Sequence, residues 1–189
     1  QIGNQCWMAE NLKTTHFRNG DEITYAVYPH DNNSFLGQPD LPAATTCGGD
    51  CAEVYGNLYN RYAVDDSRNI APEGWHVPTD DEYTILTEFL GGNSIAGGKL
   101  KEAGFGHWNS PNEGATNESG FTGLPSGILS EINAPSTYVG MGSYGYFWSS
   151  TEDSSYSAWR LNYNNSEVIT ESNTQVINAY WFSVRCIRD

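Results

Sequence analysis

Basic residues are scarce in this chain of 189 residues: 9 lysines and arginines stand against 23 aspartates and glutamates, for a net charge of −14. That imbalance repels nucleic acid and anionic membrane surfaces at long range, so neither is an expected partner. It suits solubility in an extracellular or saline medium and would attract divalent cations. No apolar run approaches the ~18 residues that span a bilayer. The start, QIGNQCWMAENLK, has no basic segment leading into an apolar one. Any signal or anchor is therefore expected outside this sequence, which reads as a domain cut from a longer protein or as a processed mature form. Histidines number 4, and the 4 cysteines lack Cys-x-x-Cys spacing, which removes the usual zinc patterns. No Gly-x-Ser-x-Gly turn and no repeat of fixed period occurs.

Aromatic residues are plentiful, and the tryptophans at 7, 75, 108, 148, 159 and 181 spread large apolar anchors over the whole length. A core shared from end to end implies a single domain over residues 1–189, a length at which one core is still economical. Around residues 31–50 a segment rich in Pro, Gly, Asn and Thr shows little hydrophobic period and reads as a surface-loop insertion. Of the three ways to pair four cysteines, the favoured one joins Cys47 to Cys51 across a two-glycine turn and Cys6 to Cys186 across the ends of the domain. Two disulfides imply an oxidising compartment.

The stretch EGWHVPTDDEYTILTEFLGG contains a helix entry. Thr79 and Glu82 have the spacing of a capping box, in which each side chain meets the other residue's backbone N–H. Asp80 and Asp81 complement the positive end of the helix dipole. Tyr83, Leu86, Phe89 and Leu90 recur at helical spacing before Gly91, which predicts a helix from about Asp80 to Leu90. A second, shorter helix is expected from Ala96 to Ala103. Beyond it, TGLPSG, YGYFWSST, SAWRLNYN, SEVIT and YWFSVRCIRD read as short strands between turns. In the last, Tyr180 to Arg188, residues Trp181, Ser183, Arg185 and Ile187 alternate with Phe182, Val184 and Cys186, as in a central strand. Few helices followed by many strands indicate an α+β domain.

Several motifs together resemble the Fibrobacter succinogenes major paralogous domain of bacterial surface and secreted proteins. They are IGNQCWMAENLK, YGNLYNRYAV, GWHVPTDDEYTILTEFLGG, AGGKLKEAGFGHWNSPNEGATNESGFTGLPSG, GSYGYFWSSTE, SAWRLNYNN and FSVRCIRD. Members often carry a cysteine directly before the Pro-x-Gly-Trp-His turn, where this chain has Ala71, so their disulfide pairing does not transfer. More distantly, GWHVPTDDEY with a terminal VRCIRD is similar to the C-type-lectin-like fold, including its formylglycine-generating-enzyme branch. That resemblance implies that the first and last strands pair and the termini meet, so the expected domain is C-type-lectin-like α+β, with the two short helices above and a mostly antiparallel, loop-rich sheet. It also implies that any function lies in the loops between the later strands.

His76 and the carboxylates after it do not make a metal or catalytic site. A zinc hydrolase helix needs two histidines one turn apart, and Pro78 separates the single histidine here from its helix. A formylglycine-generating oxidase would need a late pair of active cysteines and copper, whereas Cys186 stands alone. The segment PNEGATNESG offers Asn112, Glu113, Asn117 and Glu118 as oxygen ligands that could hold calcium, without the residue order of a known calcium loop. The segment from Tyr144 to Asn165 mixes aromatics with amides and carboxylates, the chemistry that sugar rings and protein loops both use. Its candidate ligand-binding residues are Glu152, Asp153, Tyr156, Asn162, Tyr163, Asn164 and Asn165, while Trp148 and Trp159 read as core. The expectation is a non-catalytic, secreted or cell-surface recognition domain for a glycan or a partner protein. The alternative is a structural module of a large adhesin or appendage.

Overall fold

The computed structural model of the chain describes residues 1–27, 43–47, 50–132, 137–151, 157–172 and 179–189. Among them are four helices, α1 (Cys51–Tyr55), α2 (Arg61–Asp65), α3 (Asp80–Phe89) and α4 (Asn93–Leu100). The strands are β1 (Thr24–Val27), β2 (Ala43–Thr46), β3 (Leu58–Tyr59), β4 (Trp75–His76), β5 (Ile128–Ser130) and β6 (Thr137–Val139). Later come β7 (Tyr144–Trp148), β8 (Ser157–Asn162), β9 (Val168–Ser172), β10 (Tyr180–Ser183) and β11 (Ile187–Arg188). The main sheet runs β1-β2-β3-β10-β7-β8-β9, with β5 and β6 branching from β10, and β11 pairs with β4 separately. It is mixed but mostly antiparallel: β1–β2 and β10–β7 are its parallel pairs. The domain is α+β, as the order of periodic segments implied.

α3 begins where the capping box places it. Thr79 Oγ1 accepts from Glu82 N, Glu82 Oε2 accepts from Thr79 N, and Asp80, Asp81 and Glu82 fill the first turn. Tyr83, Leu86 and Leu90 are buried, but Phe89 is 64% exposed and lies over Gly3, where a Cβ would come within 3.0 Å of its ring. α4 starts earlier and stops sooner than its pattern suggested, because Lys101 turns extended and bridges to Gly123. The five-residue helices α1 and α2 have no hydrophobic period long enough to announce them. Residues 43–46, expected within a surface loop, form the fully buried strand β2. It pairs with β1 on one side and with β3 on the other. Most of the remaining insertion lies outside the described residues.

The final apolar run is two strands rather than one. β10 is central, pairing with β3, β5 and β7. At Val184 to Cys186 the chain leaves the sheet and meets the N-terminal segment: Leu12 N donates to Val184 O, Met8 N to Cys186 O and Arg188 N to Cys6 O. The two ends are thus adjacent, and Trp7 bridges Ile187. The predicted alternation survives the break, since Phe182, Val184 and Cys186 all enter one core cluster.

Cys47 and Cys51 are joined in a disulfide. The expected Cys6–Cys186 bond is not formed, and both thiols are free. Register explains this: with Trp7 opposite Ile187, Cys6 and Cys186 are diagonal neighbours. Diagonal Cα atoms are about 7–8 Å apart, longer than a disulfide usually spans. Cys186 is instead buried in the core cluster that also contains Ala71.

Three cations are buried to hold this loop-rich body. Arg61 pairs with Asp65 and donates to Ser149 O at 2.6 Å. Arg185 donates to Asn11 Oδ1 at 2.9 and 2.6 Å and to the carbonyls of Met8, Ala9 and Phe121. Lys101 is the third, and it organises the candidate site.

Candidate functional site

The site is assembled from the sequence GGKLK. Gly97 and Gly98 let α4 touch two other segments backbone to backbone. A Cβ on Gly97 would lie 2.3 Å from Glu167 O, and one on Gly98 would lie 2.3 Å from Gly114 O. Gly98 N donates to Ser166 O, and Gly98 O accepts from Thr116 N. Lys101 follows the helix with its side chain fully buried. Its Nζ donates to Glu113 O at 2.8 Å, Asn162 O at 2.7 Å and Asn165 O at 2.9 Å. An ammonium has three donors, and three carbonyls satisfy them. Burial pulls the Lys101 pKa down to about 8, with Glu113 acting the other way, so the cationic form still dominates at neutral pH.

The 112–118 loop and the β8–β9 turn, two separate stretches in sequence, are therefore one surface. Glu113 N also donates to Tyr163 O, and Ser166 Oγ donates to Glu113 O. Asn112 is buried, its Nδ2 donating to Glu102 O and Gly104 O. Asn117 donates to Thr122 Oγ1 and accepts from Thr122 N, while Glu118 pairs with Lys99 at 2.9 Å. Glu113 is exposed. Among the described residues no group of three or more His, Cys, Asp or Glu could hold a metal ion.

The ligand-binding candidates separate. Asn162 is buried and Tyr163 is half-buried against the core, with Tyr163 N donating to Ser143 O. Asn164 is exposed at the turn, and Asn165 Oδ1 accepts from Glu167 N. Glu152, Asp153 and Tyr156 lie outside the described residues. Trp148 and Trp159 are core, and Trp159 Nε1 donates to Asp80 Oδ1 at 2.8 Å.

Sequence reasoning overlooked an aromatic face. The register Tyr144↔Asn162 and Tyr146↔Arg160, with Arg160↔Ile169, puts these residues on one side of the sheet. Tyr146 stacks on Phe182 at 5.0 Å and Phe182 on Tyr180 at 5.8 Å, while Arg160 lies 5.8 and 5.7 Å from the Tyr144 and Tyr146 rings. Arg160 is fixed by Tyr146 Oη at 3.2 Å and Glu171 at 2.6 Å. Tyr144, Tyr146, Tyr180 and Arg160 are all part-exposed. The signal was present in YGYFW and YWFS, whose period of two sets the tyrosines on one face, but only cross-strand register brings Arg160 between them.

A family described as the Fibrobacter succinogenes major domain matches residues 1–188. The chain belongs to that family. Comparison with curated proteins and with solved structures returned no match. In this Fibrobacter succinogenes major domain the characteristic motifs coincide with internal brackets. GWHVPTDDEY supplies the α3 cap and a histidine held by two carboxylates, with His76 Nδ1 2.7 Å from Asp189 and Nε2 2.8 Å from Glu82. FSVRCIRD supplies Arg185, and AGGKLKEAG supplies the Lys101 cage.

Proposed function

We propose that this Fibrobacter succinogenes major domain is a non-catalytic recognition module of the cell exterior with a C-type-lectin-like fold. It binds a glycan or a partner protein through the tyrosine face of β7, β8 and β10 and the adjoining β8–β9 turn. The observation that carries this reading is the pair of part-exposed tyrosines, Tyr144 and Tyr146, beside an arginine fixed by Glu171, with part-exposed Tyr180 extending the face by way of Phe182. Rigid aromatic planes bordered by fixed hydrogen-bonding groups match the apolar face and hydroxyl rim of a sugar ring, and Tyr-rich surfaces serve protein recognition as well. The Cys47–Cys51 disulfide and the adjacent chain ends support an exterior location and the lectin-like fold. A glycan array with a parallel pull-down tests the reading. Binding should appear in one of them and be lost in Tyr144→Ser and Asn164→Ala without a change in melting temperature. Two empty screens, or variants that bind like the wild type, would sink it.

A structural module of a large surface adhesin or appendage is the second reading. It is favoured by Lys101 and Asn112, whose side-chain donors are all spent inside the domain, and by Asn117, which bonds Thr122 through both its amide nitrogen and its oxygen. An oxidase of the formylglycine-generating type is less well supported. Cys186 is fully buried, and burial pushes its thiol up to about 12, which suits neither a nucleophile nor a metal ligand at neutral pH.

A further inference from the structure

We infer that the Lys101 ammonium is the cation around which the 112–118 loop and the β8–β9 turn are built, and that this surface consequently takes no calcium. The inference deepens the recognition reading by making that surface independent of metal. Its test observes the loops themselves, so it stands or falls without any ligand.

Calcium requires six to eight oxygens, and loops that bind it commonly contribute backbone carbonyls. Here three carbonyls from two segments, those of Glu113, Asn162 and Asn165, already converge on a single buried charge. No carboxylate is within ion-pair distance of Lys101 among the described residues, so the positive charge is balanced by carbonyl dipoles, as a bound ion would be. Two of the four side chains nominated by the sequence are engaged elsewhere: Asn117 Oδ1 accepts from Thr122 N, and the Glu118 carboxylate is paired with Lys99. That leaves Glu113 as a single carboxylate. Two buried amide oxygens, Asn112 Oδ1 and Asn162 Oδ1, have no hydrogen-bond partner among the described residues. Asn162's own carbonyl and that of Glu113, next to Asn112, bind the ammonium, so a second cation there would meet like charge. A lysine has a practical advantage over an ion, since its charge is tethered and cannot dissociate when free calcium falls.

Titration of the wild-type domain with calcium to about 10 mM, above the range of weak extracellular sites, provides the first arm. Amide resonances of residues 112–118 and 162–166 should not move, and the melting temperature should equal that in chelator. A saturable shift of those amides, or melting raised by several degrees, overturns the inference. The second arm is Lys101→Met, which keeps the stem and removes the donors. It should melt about 5 °C or more below the wild type, and the Glu113 amide should lose its protection from exchange, because the carbonyls of Glu113, Asn162 and Asn165 lose their ammonium donor. Failure of this variant to fold lies on the same side. A Lys101→Met domain that melts with the wild type and keeps the Glu113 amide protected overturns the inference.

Discussion

His76 is the residue whose local chemistry most directly sets a pH response. Both ring nitrogens face carboxylates, Asp189 at 2.7 Å and Glu82 at 2.8 Å, and only the imidazolium can donate to both. Burial pulls its pKa down, but the hydrogen bonds to Asp189 and Glu82 outweigh it, so the net value is raised above 6.5. Glu82 behaves oppositely: burial raises its pKa, yet the Thr79 backbone N–H and His76 together bring it below 4.5. A raised histidine contributes stability that is complete below its unfolded pKa and is lost as pH rises through the folded one. A lowered glutamate contributes stability present above its unfolded pKa and lost as pH falls through the folded one. The network is therefore intact from about pH 4.5 to 6.5 and weakens on either side. The melting-temperature gap between wild type and His76→Gln should be widest in that window and shrink as pH rises past the folded histidine value. A gap that stays constant from the window up to about pH 9 would show that His76 does not titrate in this way.

At the scale of elements, α4 shows a conflict between intrinsic preference and packing. Glycine within a helix costs about 1 kcal/mol relative to alanine, so Gly98→Ala should stabilise an isolated α4. In the domain the added Cβ would meet Gly114 O at 2.3 Å, a backbone atom that follows Glu113, whose carbonyl Lys101 holds. Gly98→Ala is expected to destabilise by about 1–3 kcal/mol in urea denaturation, the cost of overpacking. Gly106→Ala is the control: its Cβ would meet nothing nearer than a Glu102 carboxylate oxygen at 3.8 Å, and it should change stability by less than about 0.5 kcal/mol. Elements were legible in the sequence to the extent that their signals are local. The α3 entry was readable because a capping box needs only residues 79 to 82. β2, α1 and α2 were not, since short segments of small or mixed residues acquire their structure from neighbours distant in sequence. The break after Ser183 has the same origin, because it is the N-terminal segment that draws Val184 and Cys186 out of the sheet.

For the whole molecule, the closing of its two ends is the decisive long-range event. Residues 8 to 12 hydrogen-bond the carbonyls of Cys186 and Val184, and Arg185 reaches Asn11 and the carbonyls of Met8, Ala9 and Phe121. The adjacency of the termini was foreseen from resemblance; the Cys6–Cys186 disulfide, expected from cysteine count and position alone, is not formed, because cysteine counting carries no register. The candidate site shows the same division: Asn164 and the GGKLK helix were visible in the sequence, but the union of 112–118 with 162–166 depends on a lysine that looks, in one dimension, like any surface charge. The free thiols make the closure measurable. Cys6 is part-exposed and Cys186 fully buried behind the terminal pairing, with its thiol pushed up to about 12 by burial. Under native conditions an alkylating reagent should label Cys6 quickly and Cys186 only when the domain opens. Cys186 labelling should follow global stability, accelerating with urea in step with the unfolding equilibrium, since segments tied to the core open only with it. Labelling of Cys186 that is fast in the absence of denaturant, or insensitive to it, would mean that the ends part as a local event and that the terminal pairing does not belong to the cooperative core.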